Sequence, residues 1–144
     1  MRRTFTLTQA HELIPLLREE LTQLQPAYSE LRERWHDLAS NEEVPIDDPR
    51  VRDLCLNDIE TRELLEEVEE SLYYFRELGV ECRDIDAGLF DFPCLLEDRV
   101  AFLCWQVDED EISHWHEIGQ GFFGRRPIFD STPVEETLDM RLLN

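Results

Sequence analysis

The chain has 144 residues, 42% of them hydrophobic, and its 34 acidic side chains face 14 basic ones, giving a formal net charge of -20. That length suits a single domain, which buries roughly 70% of its unfolded surface. The acidic field repels phosphate backbones, and no apolar run approaches a membrane span, so neither nucleic acid nor a membrane is expected as a partner.

The start, Met1-Arg2-Arg3-Thr4-Phe5, lacks the apolar core of a signal peptide, so a cytoplasmic location is expected. Every basic residue is Arg, which a codon bias against Lys explains most simply. Cysteines stand at 55, 82, 94 and 104, with no Cys-x-x-Cys pair and no zinc-module spacing. They read as buried, reduced, small apolar residues.

Thr6-Leu7-Thr8-Gln9 fits a capping box at a helix start. Apolar or aromatic residues then recur at 10, 14, 17, 21, 24, 28, 31, 35 and 38, alternating steps of 4 and 3. This predicts one long helix over about 7–39, bent at Pro15 and Pro26. Ser40 to Pro49 reads as a linker. A second helical run is predicted over 48–78, with Val51, Leu54, Leu65, Val68, Leu72 and Phe75 on its stripe. Asp58 and Thr61 weaken that stripe in the middle, and Gly79 stops the helix. Two such helices make an antiparallel hairpin with Leu21 and Leu72 in its core. Glu60, Glu63, Glu66, Glu67, Glu69 and Glu70 read as a solvated face rather than a metal row, and no Glu-x-x-His motif accompanies them.

After Gly79 the period changes. Runs at 80–85, 89–95 and 99–107 are short and apolar, separated by Asp86-Ala87-Gly88 and by Glu97-Asp98. They predict a small antiparallel meander. In the third run Ala101, Leu103, Trp105 and Val107 share one face, and Val100, Phe102, Cys104 and Gln106 the other. Ile112 to His116 fits a short strand or one helical turn. The whole is read as a single α+β domain, 1–144: a helical hairpin (1–79), a small β-rich segment (80–127) and a peripheral tail (128–144), with a short last helix starting near Pro133.

All five glycines, two of the three tryptophans and two of the four histidines lie beyond residue 78, so any site is sought there. The order Gly79-Val80-Glu81, Gly88-Leu89-x-Asp91-Phe92-Pro93, Leu103-Cys104-Trp105, Trp115-His116-Glu117, Gly121-Phe122 and Gly124-Arg125-x-Pro127 resembles the bacterial DUF2203 family of uncharacterised proteins. The start Phe5-Thr6-Leu7 with Leu13-Ile14-Pro15 is similar as well. The resemblance implies a fold and no activity.

Asp84, Asp86, Asp91, His116 and Glu117 are the richest candidate metal set; carboxylates with one imidazole suit Mn, Fe or Zn. The plainer alternative makes Asp91 a buried hydrogen-bonding residue and His116 a donor to a backbone carbonyl. Asp91, Trp105, Trp115, His116 and Arg125 are the candidate ligand-binding residues. Arg125 could grip a carboxylate or phosphate, although an internal pairing with Asp84, Asp86 or Asp91 is favoured, and core packing is favoured for the tryptophans. Cys104, mid-strand and buried, is read as inert. No Walker loop and no Gly-x-Ser-x-Gly turn appear. The functional expectation is a non-enzymatic interaction or regulatory module, self-associating through its helices as a dimer, with a further protein partner allowed. The alternative is a small metal-dependent enzyme, such as a hydrolase, built on the Asp/His/Glu cluster.

Overall fold

A computed structural model of the protein describes residues 3–129. Among the described residues three helices precede five strands, an α+β arrangement. The helices are α1 (Leu7–Asn41), α2 (Arg50–Leu56) and α3 (Ile59–Leu78). The strands β1 (Glu81–Asp84), β2 (Leu89–Leu96), β3 (Arg99–Gln106), β4 (His114–His116) and β5 (Arg126–Pro127) form one antiparallel sheet in chain order. A short 3-10 turn, Phe122–Gly124, stands between β4 and β5. Contacts divide the chain into two compact units, Met1–Arg18 with Phe75–Asn144, and Glu19–Tyr74.

In the helical unit, α1 and α3 run antiparallel. Ser71 donates to Glu20 at 2.8 Å, and Arg34 meets Glu60 at 2.9 Å. Leu21, Leu24, Ala27, Leu31, Val51, Cys55, Leu65 and Val68 are buried. The helix predicted over 48–78 is two helices. It breaks at Asn57-Asp58 because Asp58 caps α3: its carboxylate accepts the Thr61 N–H at 3.2 Å and the Thr61 hydroxyl as well. The residues that weaken the apolar stripe are therefore a helix start. The buried line of α3 runs through Thr61, Leu65, Val68 and Ser71, whereas Leu54 and Leu72 are half-buried. Leu72 is thus corrected to the rim of the core. Helix α1 continues through Pro15 and Pro26.

In the sheet unit, the capping box forms as predicted. Gln9 N–H donates to Thr6 Oγ1 at 3.1 Å, and Thr6 N–H to Gln9 Oε1 at 3.0 Å. A two-residue turn, Glu97-Asp98, joins β2 to β3 with both residues at positive φ. The β2–β3 register follows from it, with Asp91 opposite Cys104 and Phe90 opposite Trp105. Because side chains alternate, the sheet has two different faces. Phe90, Phe92, Leu103 and Trp105 lie on the apolar one. Phe92 meets Phe5 edge-on at 5.5 Å, Phe90 meets Phe75 at 4.9 Å, and Phe90 stacks on Trp105 at 5.8 Å. Asp91, Phe102, Cys104 and His116 project from the opposite face. The segment from Ile112 settles as strand β4. The short helix expected near Pro133 lies outside the described residues.

Candidate functional site

The polar face of the sheet brings together residues far apart in sequence. His116 stands opposite Phe102 on β3, two positions from Cys104, and Cys104 stands opposite Asp91 on β2. Asp91 and His116 are each only 1% exposed. His116 Nε2 lies 2.9 Å from Asp91 Oδ1, and the other ring nitrogen, Nδ1, lies 2.8 Å from the Glu117 carbonyl oxygen. A carbonyl only accepts, so Nδ1 carries a hydrogen. That leaves one proton to be shared between Nε2 and Oδ1, since two lone pairs do not bond. The second carboxylate oxygen of Asp91 accepts from Arg83 Nε at 2.7 Å, and Arg83 also pairs with Glu81 at 2.6 Å.

The pair opens onto a cavity of about 240 Å3 lined by Arg83, Leu89, Asp91, His116, Gly119, Gly121 and Phe122. Its outer wall is the loop after β4. Gly119 and Gly121 hold φ of 83° and 65°, a conformation that a side chain rarely takes. Phe122 lies at the start of the 3-10 turn, and Phe123 beside it is fully exposed.

Cys104 completes the cluster. One donor atom each from Asp91, Cys104 and His116 lie within 4.8 Å of one another, and all three residues are buried. Burial pushes the Cys104 thiol up to about 12, with the negative charge of Asp91 acting in the same direction. Burial therefore favours the protonated thiol at neutral pH. Cys94 is likewise pushed up to about 12 by burial, and Cys82 to about 11.

The predicted candidates separate. Asp91 and His116 come together. Asp84 and Asp86 do not join them: the Asp84 carboxylate accepts the Ala87 N–H at 3.0 Å in the β1–β2 turn, and Asp86 is exposed in the same turn. The Glu117 side chain turns outward to Arg99 at 2.6 Å, and this guanidinium holds its carboxyl below the usual range. Arg125 pairs with Glu109 at 2.6 Å and donates to the Cys104 carbonyl at 3.3 Å, so it ties the last strand to the sheet and does not line the cavity. The arginine at Asp91 is Arg83. Trp105 donates from Nε1 to the Glu109 carbonyl at 2.9 Å from the apolar face, and Trp115 carries the Arg126 guanidinium 5.0 Å above its ring. Neither lines the cavity.

Sequence reasoning passed over Arg83 and read Cys104 as an inert buried thiol, without joining it to Asp91 and His116. A signal for Cys104 was present, because a two-residue turn at Glu97-Asp98 sets 91 opposite 104. Arg83 had no such signal, since the β1–β2 pairing shifts register between Cys82 and Asp84.

Comparison with known proteins places the chain in a family. The profile of a family described as an uncharacterised conserved protein, DUF2203, covers residues 3–128. No curated protein and no solved structure matches the chain.

Proposed function

We propose, for a chain that belongs to the DUF2203 family, a binding or regulatory module that takes a small polar ligand into the cavity on the polar face of its sheet. The observation that carries this reading is the cavity floor. Two ionisable side chains, Asp91 and His116, are almost fully buried yet border an open space of about 240 Å3. Gathering such groups is costly unless they pair or meet a ligand, and here they do the first and are placed for the second. Arg83 adds a cation at the cavity, while Leu89 and Phe122 add apolar walls.

The pair is not built as a free general base. Both imidazole nitrogens are engaged, one by a carbonyl and one by a carboxylate. Direct proton abstraction by His116 needs a vacant nitrogen within reach of the substrate. Binding is therefore favoured over acid-base catalysis. The second reading, a small metal-dependent hydrolase, draws on the same floor and would use an ion to activate water. Self-association through the helices, the further part of this reading, would use surface outside the α1 stripe, because Ile14, Leu17, Leu21, Leu24 and Leu31 are buried within one copy.

The test is a fragment screen followed by amide chemical shifts on the isotope-labelled chain. Small carboxylates, amides and alcohols should shift Arg83, Gly119, Gly121 and Phe122 together. Leu89→Trp, which fills the cavity, should abolish those shifts. Shifts scattered over the surface, or unchanged by Leu89→Trp, would remove the reading.

A further inference from the structure

Three neighbouring strands offer three different donor atoms to one point. Asp91 on β2 gives a carboxylate oxygen, Cys104 on β3 a sulfur and His116 on β4 an imidazole nitrogen, within 4.8 Å of one another. The ring of His116 is already oriented for ligation. Its Nδ1–H is spent on the Glu117 carbonyl, so Nε2 is the nitrogen left to face Asp91. Metal-binding histidines commonly hand their second N–H to a carbonyl in this way, which fixes the tautomer and the ring plane. Asp91 is held as well, by Arg83 on the oxygen turned away from His116. A lone pair on Nε2 and another on Oδ1, 2.9 Å apart, need a positive species between them. A proton meets that need as a hydrogen bond, and a metal ion bonded to both atoms takes its place by displacing it.

We propose that Asp91, Cys104 and His116 form a site for a divalent transition metal of the zinc class, with its remaining coordination position turned toward the cavity. This deepens the binding-module reading by naming what the cavity floor presents to a ligand. Sulfur and imidazole donors select a borderline-soft ion over Mg2+ or Ca2+, and three protein ligands are the number found where a zinc site keeps one position open. Asp91 and His116 border the cavity, so a ligand entering there reaches the open position. Uptake of the ion forms a metal–sulfur bond and releases the thiol proton, together with the proton shared by Nε2 and Oδ1, to solvent. A coordinated metal deprotonates a thiol outright, so in the loaded state Cys104 is a thiolate whose charge the ion balances.

The test uses the full chain, purified without an affinity tag, stripped with a chelator and titrated with Co2+ alone. The expected result is one Co2+ per chain, with a near-ultraviolet thiolate-to-cobalt band and visible bands of tetrahedral intensity. Cys104→Ser should abolish the thiolate band while circular dichroism shows a folded chain. Asp91→Asn and His116→Gln should each weaken Co2+ binding by at least about tenfold. A folded parent with no thiolate band overturns the proposal, as does a band that survives Cys104→Ser. The cavity reading fails separately. If Co2+ binds as expected but fragments leave Gly119 and Gly121 unshifted, the metal stands and the small-ligand module falls. If fragments shift those glycines and Co2+ gives no thiolate band, the module stands and the metal falls.

Discussion

At the scale of single residues, His116 is held at both ends of its ring, and this makes it structural in the metal-free chain whatever it ligates. Removing it leaves the buried carboxylate of Asp91 with Arg83 and the Cys104 thiol. Breaking a buried pair from one side costs about 3–5 kcal/mol, and the surviving Arg83 contact places His116→Ala at the low end of that range. The double variant Asp91→Leu with His116→Leu should lie closer to the parent than either single change, because no buried charge is left unpaired. Urea denaturation of the four proteins measures the cycle; additive losses would show that the two side chains act independently. The thiols supply a second residue-scale expectation. Burial pushes Cys94 and Cys104 up to about 12, so the native chain should hold both unmodified by a maleimide at neutral pH. Both should react once the chain is unfolded. Fast labelling of either in the folded state would contradict their burial.

At the scale of elements, two helix starts depend on aspartates. Asp48 accepts the Arg50 N–H at 2.9 Å and its guanidinium at 2.8 Å, and these contacts draw its carboxyl down to about 2. Asp58 caps α3 through Thr61, which also lowers its carboxyl. A carboxyl with a depressed folded pKa stabilises the fold above the ordinary carboxylate range, and that contribution fades as pH falls through the folded value. Asp58→Ala should therefore lower the melting temperature at pH 7, Asp58→Asn should lower it less because the amide oxygen still caps, and the difference from the parent should shrink toward pH 2. An Ala variant indistinguishable from the parent at pH 7 would rule out the cap. Leu21→Ala should cost about 2–5 kcal/mol, while Leu72→Ala, at the rim, should stay below about 2 kcal/mol. These contrasts show where the sequence was readable. The Thr6–Gln9 box and the strands of the meander are local signals, and they appear where residue chemistry puts them. Asp58 was visible as a flaw in an apolar stripe, but a polar residue on a stripe and a cap between two helices look alike until the backbone turns. The site was half legible: Asp91 and His116 stand out by chemistry, whereas their meeting depends on the β3–β4 register, which the irregular stretch from Val107 to Ser113 does not specify. Arg83, and not Arg125, reaches Asp91 for the same reason: a register shift in β1 decides it.

At the scale of the whole molecule, the net charge of -20 sets a repulsion that the arginines relieve only in part. Arg34–Glu60, Arg52–Glu69 and Arg50–Asp48 each leave at least one partner exposed, where water and salt screen the attraction. Salt weakens these pairs and, at the same time, the mutual repulsion of 34 acidic side chains that outnumber 14 basic ones, with a screening length of about 8 Å at physiological ionic strength. Repulsion should dominate, so the melting temperature should rise as NaCl is added to a low-salt buffer. On α3, Glu63 and Glu67 are both exposed and one turn apart, where like charges oppose the helix. Glu67→Arg converts that contact into a favourable pair with the acid on the N-terminal side, and should stabilise the chain by about 0.5 kcal/mol in low salt. The gain should shrink as NaCl rises, because it is electrostatic. Differential scanning calorimetry of parent and variant across a salt series measures both effects. A parent that melts lower in high salt would mean that the exposed arginine pairs outweigh the acidic field, and a salt-independent gain in Glu67→Arg would assign the effect to helix propensity instead of charge.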